Sequence, residues 1–201
     1  MATYRETVGT AVQNYSGDPT NPIEGQVWYN TSTNLFKYSS ATTAGAWATG
    51  GTLNSARYAL GGAGADNTSA IVFGGYPNGS TGATEQYNGS SWTEVNDLNH
   101  GRGYIGATGT TYNAALAFGG NSATVATDAK TESYNGTNWT EVGDLNTGRY
   151  AMGDAGTQTS SLAIGGYVPP PGALPYVESY NGTNWTEVAD LNTARNGLGG
   201  A

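Results

Sequence analysis

The 201-residue chain has one histidine, His100, and no cysteine, so little covalent or metal chemistry is open to it. A thiolate nucleophile needs cysteine, and an imidazole-rich zinc site needs several histidines. Only a Ser-His-Asp arrangement centred on His100 is left. His100 stands where sister segments carry Thr147 and Thr193, which suits a solvated loop residue. The carboxylates are more ordered, and most of the 15 acidic residues fall into recurring positions. These are Glu85, Glu132 and Glu178; Glu94, Glu141 and Glu187; and Asp97, Asp144 and Asp190. Paired acids can hydrolyse glycosides, but that chemistry needs two unlike carboxyl environments in one place. Acids that recur in the same setting behave as structural partners. Their natural counterparts are Arg57, Arg102, Arg149 and Arg195, because a guanidinium fork can hold a carboxylate through two parallel hydrogen bonds. No calcium loop is present, and the glycine-rich segments lack the lysine of a phosphate cradle. The expectation is a protein without catalytic residues, metal or cofactor.

The elements that would carry these residues are short strands. Glycine reaches 32 residues, and 14 Tyr stand against 3 Phe, while the straight-chain residues that favour helices are scarce. The fold class expected is all-β. A formal charge of −8 with seven Lys+Arg offers no basic stripe for phosphates, which argues against nucleic acid and anionic membrane as partners. The first residues hold neither a basic leader nor an apolar run, and no stretch is apolar enough to span a bilayer, so neither secretion nor membrane insertion is expected.

A repeat of about 46 residues organises the chain. Thr131 to Val142 reads TESYNGTNWTEV and Val177 to Val188 reads VESYNGTNWTEV, with TEQYNGSSWTEV from Thr84 to Val95 as a weaker copy. Trp92, Trp139 and Trp185 are 47 and 46 residues apart, and Arg57, Arg102, Arg149 and Arg195 are 45, 47 and 46 apart. Each unit reads as four strands. In the middle copy these are Gly103–Ala107, Ala114–Phe118 ending in Gly119-Gly120, Lys130–Tyr134 and Trp139–Val142. Asn135-Gly136 between the last two, like Asn88-Gly89 and Asn181-Gly182, is a strong hairpin signal.

An apolar strand ending in Gly-Gly, followed by a spaced Tyr and Trp, resembles the kelch motif. The residues that carry the likeness are Phe73-Gly74-Gly75, Tyr87 and Trp92; Phe118-Gly119-Gly120, Tyr134 and Trp139; and Ile164-Gly165-Gly166, Tyr180 and Trp185. Each unit is followed by a Leu-Asn-x-x-Arg segment, and the resemblance spans roughly residues 25 to 201. It departs from the motif in its five-residue Tyr-to-Trp step and in lacking proline before the arginine. What it implies is a kelch-like β-propeller of four-stranded antiparallel blades, with blades at 55–101, 102–148 and 149–194. Blades of this kind bury their faces by stacking around an axis, which places the Tyr and Trp between them.

Two remnants complete the count. Residues 25–54 hold strand-like runs at Gln26–Asn30, Leu35–Ser39 and Ala46–Thr49, while Arg195–Ala201 (RNGLGGA) matches Arg57–Ala63 (RYALGGA). A fourth blade assembled from residues 25–54 and 195–201 would close the ring with N- and C-terminal strands. The same ragged ends equally suit a longer array, or a ring completed by a second chain as a homo-oligomer.

Where packing fixes most of a repeat, the variable loops are the candidates for recognition. Between the second and third strands these loops read YPNGSTGA (76–83), NSATVATDA (121–129) and YVPPPGALPY (167–176). Tyr76, Asn78, Asn121, Thr124, Tyr167, Pro170 and Tyr176 form a polar-aromatic set suited to a glycan or a protein surface. The segment Pro22 to Thr31, PIEGQVWYNT, resembles one common in tail-fibre and other virion proteins of tailed bacteriophages. That likeness implies a virion component made in the host cytoplasm. Residues 1–24 would then be an arm docking on other virion proteins, with the propeller facing a host surface glycan or protein. A cellular kelch-like interaction module and a glycan-active propeller enzyme are the alternatives.

Overall fold

The structure is a computed structural model that describes residues 13–20, 26–38, 50–170 and 172–200. The chain divides into two compact units, residues 1–49 and 50–201. In the first, β1 (Gln13–Tyr15) pairs parallel with β2 (Val27–Asn30), which pairs antiparallel with β3 (Leu35–Tyr38). Part of the segment expected as an arm is therefore a strand of this sheet, and β1 takes the edge of β2 opposite β3. Asp18 ties the sheet together. Its carboxylate accepts from Asn30 Nδ2 at 2.7 Å and Trp28 Nε1 at 3.2 Å, and pairs with Lys37 Nζ at 2.7 Å. These contacts, Lys37 first, hold its pKa down at about 2. The strand expected at Ala46–Thr49 lies outside the described residues.

The second unit carries the repeat. β4 (Gly61–Asp66), β5 (Ser69–Phe73), β6 (Thr84–Tyr87) and β7 (Trp92–Val95) form one antiparallel sheet in chain order. β8 (Gly106–Thr111), β9 (Ala114–Phe118), β10 (Thr131–Tyr134) and β11 (Trp139–Glu141) form the next. In the third, β12 (Gly153–Thr157) and β13 (Ser160–Ile164) are separated from the later pair by a small hairpin, β14 (Tyr167–Val168) and β15 (Gly172–Ala173). β16 (Val177–Tyr180) and β17 (Trp185–Glu187) complete that sheet. The first strands of the three sheets lie against one another, β4 beside β8 and β8 beside β12, which gives the unit a propeller-like, all-β architecture.

The core lies between sheets, for the reason the repeat suggests. On β9, Ala115 and Ala117 face one interface, with Ile71, Phe73, Tyr134 and Trp139. Leu116 and Phe118 face the other, with Tyr180 and Trp185. Being buried on both sides, this strand reads as a continuous apolar run rather than an alternating one. Two of the repeat tryptophans pack on the preceding sheet's phenylalanine: Trp139 lies 4.7 Å from Phe73 and Trp185 4.8 Å from Phe118, ring centre to ring centre. Their indole N–H groups donate to Thr84 Oγ1 and Thr131 Oγ1. Leu162 and Ile164, the counterparts of Leu116 and Phe118 in the third sheet, are only half-buried. Among the described residues no fourth four-stranded sheet follows, and residues 195–200 form no strand.

Several expected boundaries move: β8 runs on to Thr111 rather than Ala107, β10 starts at Thr131 rather than Lys130, and β11 ends at Glu141 rather than Val142. The first strand of the middle unit starts at Gly106, not Gly103, because residues after each arginine form a strap that crosses the mouth of the sheet. The preceding Gly-Gly holds the strap: the N–H groups of Gly75, Gly120 and Gly166 donate to the carbonyls of Arg102, Arg149 and Arg195. A side chain at Gly74, which sits at φ +68°, would meet Arg102 O at 2.5 Å, so glycine is required there.

Candidate binding face

Two of the repeated arginines, Arg102 and Arg149, anchor their straps from beneath. Arg102 is fully buried; its Nε donates to Gly119 O at 2.8 Å, its Nη1 to Glu132 Oε1 at 2.6 Å and to His100 O at 3.1 Å, and its Nη2 to Lys130 O at 3.3 Å. Arg149 repeats the set with Gly165 O, Thr147 O, Ala163 O and the buried Glu178. Arg57 lies 2.9 Å from Glu85 but points none of its N–H bonds at an acceptor. Arg195 is exposed, and its Nε donates to Thr193 O. The same glutamates hold the preceding asparagines: Glu132 Oε2 accepts from Asn99 N at 2.8 Å and Asn99 Nδ2 at 2.9 Å, and Glu85 and Glu178 do the same for Asn54 and Asn146. Asp97 and Asp144 accept the N–H of Thr84 and Thr131. Glu85, Glu132, Glu178, Asp97 and Asp144 thus carry structural duties.

On the outer side, the straps meet the loops that follow the second strands. Tyr58 pairs with Tyr76, Gly103 with Asn121 and Tyr150 with Tyr167, each as an isolated antiparallel bridge. Backbone bonds also join one strap to the next: Tyr104 N donates to Ala59 O at 2.7 Å, Ala151 N to Tyr104 O at 3.1 Å and Gly197 N to Ala151 O at 2.8 Å. Ala59, Tyr104 and Ala151 all sit at positive φ, at 55°, 51° and 53°, and Gly197 at 65°. A left-handed conformation costs a non-glycine residue roughly 1–2 kcal/mol, so the ladder imposes a shape that the local sequence does not favour.

This geometry brings five tyrosines into one row. Ring centres step from Tyr58 to Tyr76 at 5.6 Å, to Tyr104 at 6.0 Å, to Tyr150 at 5.9 Å and to Tyr167 at 5.3 Å. The row crosses all three sheets. It passes the middle one because Gly103 and Asn121 replace the tyrosine pair found in the other two: a side chain at Gly103 would meet the Tyr76 ring at 2.3 Å, and the Tyr76 hydroxyl reaches Asn121 Oδ1 at 2.7 Å and O at 2.8 Å. Tyr58 is 61% exposed and Tyr104 42%, while the other three are half-buried. Burial and the neighbouring rings raise the pKa of Tyr76, and burial with Tyr167 and Tyr104 raises that of Tyr150, so both hydroxyls stay neutral.

Of the loop residues singled out from sequence, Tyr76, Asn121 and Tyr167 join this row. Asn78, Thr124 and Pro170 stand exposed on the same loops outside it, and half-buried Tyr176 gives its carbonyl to Gly165 N. Tyr58, Tyr104 and Tyr150 were not anticipated. Their signal was adjacency to the repeated arginine, hidden by reading the strap as strand.

A concavity of about 570 Å³ runs between the first strands and is lined by small residues such as Gly62, Ala63 and Gly109. Its most buried acid is Asp154, whose Oδ2 accepts from Ala107 N at 3.0 Å and whose pKa is pushed up by burial. His100 is exposed, 3.6 Å from Glu141, which also pairs with Lys130 at 2.8 Å. In comparisons with known proteins, no family model matches the chain and no curated protein is similar enough to count as a match.

Proposed function

We propose that the chain is a non-catalytic attachment module that uses the tyrosine row to hold a surface glycan or protein. The observation that carries this reading is the row itself. Five rings sit side by side, three on straps and two on the loops bridged to them, with two of the rings well exposed. Tyrosine offers rigid, amphipathic contact area at a small entropic cost, which makes such a strip suited to recognition. The resemblance of residues 22–31 to phage virion proteins supports a place in a tail fibre or related particle, with residues 1–24 docking on other virion proteins and the repeat presented to a host surface. The kelch-like repeat supports completion of the propeller by a fourth blade. The half-buried Leu162 and Ile164 and the exposed Arg195 are the features such a blade would cover. Mass spectrometry of purified particles from a phage encoding the chain tests the virion assignment, and its peptides are expected there at structural-protein abundance. Adsorption of the purified protein to bacterial cells tests attachment. Wild type is expected to bind and Tyr58→Ala/Tyr104→Ala to lose at least tenfold, whereas equal adsorption by both would refute the role of the row.

A further inference from the structure

We infer that the row takes a linear, uncharged polysaccharide lying lengthwise across the three sheets, an inference that rests on the attachment reading above. The first argument is charge. Straps 57–60, 102–105 and 149–152 and loops 76–83, 121–129 and 167–176 contain only four charged residues: Arg57, Arg102, Arg149 and Asp128. The three arginine side chains are fully buried against Glu85, Glu132 and Glu178, and Asp128 is buried. Among the described residues of these segments no cation is therefore exposed; the exposed Arg195 stands on the following strap. The protein's net charge of −8 would repel a sialylated, uronic or sulfated chain that had no pairing partner to offset it. The raised pKa of Tyr76 and Tyr150 keeps those hydroxyls neutral donors and acceptors.

The second argument is shape. The strip is one ring wide and four steps long, with steps of 5.3 to 6.0 Å, on the scale of one sugar residue in an extended chain. A stable protein partner covers a broad patch of about 800 Å² per side around a buried centre, which a single file of rings does not offer. A sugar chain alternates C–H faces with hydroxyl edges. It matches a file that alternates ring surface with the hydroxyl of Tyr76 and the amide of Asn121.

The test is an array of linear homopolymers and their oligomers: neutral glucans, mannans and galactans beside polysialate, polyuronates and heparin. Wild type, Tyr58→Ala, Tyr58→Ala/Tyr104→Ala and Tyr104→Phe are compared, each with its melting curve. Neutral chains are expected to be retained, more strongly as oligomers lengthen from three to six sugars, with no loss at high salt. The double variant should lose at least tenfold at an unchanged melting temperature. The exposed Tyr58→Ala, which has no fold to lose, should weaken binding several-fold, and Tyr104→Phe should keep it. Retention of acidic chains alone, or binding abolished by salt, would overturn the inference. So would cell adsorption that survives stripping of surface polysaccharide, which would leave attachment standing with a protein ligand. Failure to adsorb to any cell would instead remove the attachment reading itself.

Discussion

Replacing Arg102 by lysine keeps the charge and removes the fork. The buried guanidinium donates to the carbonyls of Gly119, His100 and Lys130 as well as to Glu132, and one ammonium can keep the carboxylate contact while abandoning most of the rest. Each carbonyl left without its charged donor costs about 1 kcal/mol or more, so the sum is roughly 3–4 kcal/mol, inside the 3–5 kcal/mol typical of a disrupted buried pair. For a unit of this size that corresponds to roughly 10 °C in Tm. The internal control is Arg195→Lys, because Arg195 is exposed and its side chain makes one hydrogen bond, at 3.3 Å. It should change stability by less than about 0.5 kcal/mol, as surface substitutions usually do. Urea unfolding followed by tryptophan fluorescence measures both. Equal, small effects at the two positions would refute the claim that Arg102 clamps its strap through its fork.

Three further outcomes follow from the same geometry. Trp139→Ala, which empties the contact with Phe73 and removes the indole N–H bond to Thr84 Oγ1, should cost about 3–5 kcal/mol, whereas Trp92→Ala, at a half-buried site, should cost markedly less in the same unfolding assay. Ala151→Gly relieves a left-handed residue while loosening the unfolded chain, and calorimetry should show it neutral to about 1 kcal/mol stabilising rather than destabilising. Asp154 has a folded-state pKa above its unfolded value, so ionisation favours the unfolded chain and its penalty grows as pH rises through the carboxylate range. Asp154→Asn should therefore match wild type at pH ~3 and exceed it in Tm near neutrality; the reverse order would contradict the sign.

The sheets were largely legible in the sequence. Ala114–Phe118 is a strand over the expected residues, and Tyr134 faces Trp139 across a turn begun by Asn135-Gly136. That turn is a four-residue loop in which Asn135 Oδ1 accepts the N–H groups of Thr137 and Asn138, with Gly136 at φ +93°. These features depend on neighbours a few residues apart. The strap did not show, because it is held by bonds such as Gly75 N to Arg102 O and Tyr104 N to Ala59 O, which join consecutive repeats. Its left-handed residues are alanine and tyrosine, so the glycine that would mark the bend is missing until Gly197. Of the tyrosine row, the loop residues Tyr76 and Tyr167 were legible, and the strap residues stayed hidden for the same reason. Tyr58 and Tyr150 follow the arginine directly, Tyr104 follows one residue later, and only the substitution of Gly103 lets Tyr76 bridge them. Four of the row's tyrosines stand at repeat positions, and the departure of the middle unit, Gly103 with Tyr104, joins them into one row.

The central claim is that the repeated residues build the scaffold and the tyrosine row binds. Ring-labelled tyrosine NMR tests it most directly, by titrating a linear neutral glucan hexasaccharide into the folded chain. Shifts confined to Tyr58, Tyr76, Tyr104, Tyr150 and Tyr167, with the buried repeat tyrosines Tyr134 and Tyr180 silent, are predicted. Shifts at Tyr134 or Tyr180, or at tyrosines outside the row while the row stays unmoved, would contradict it.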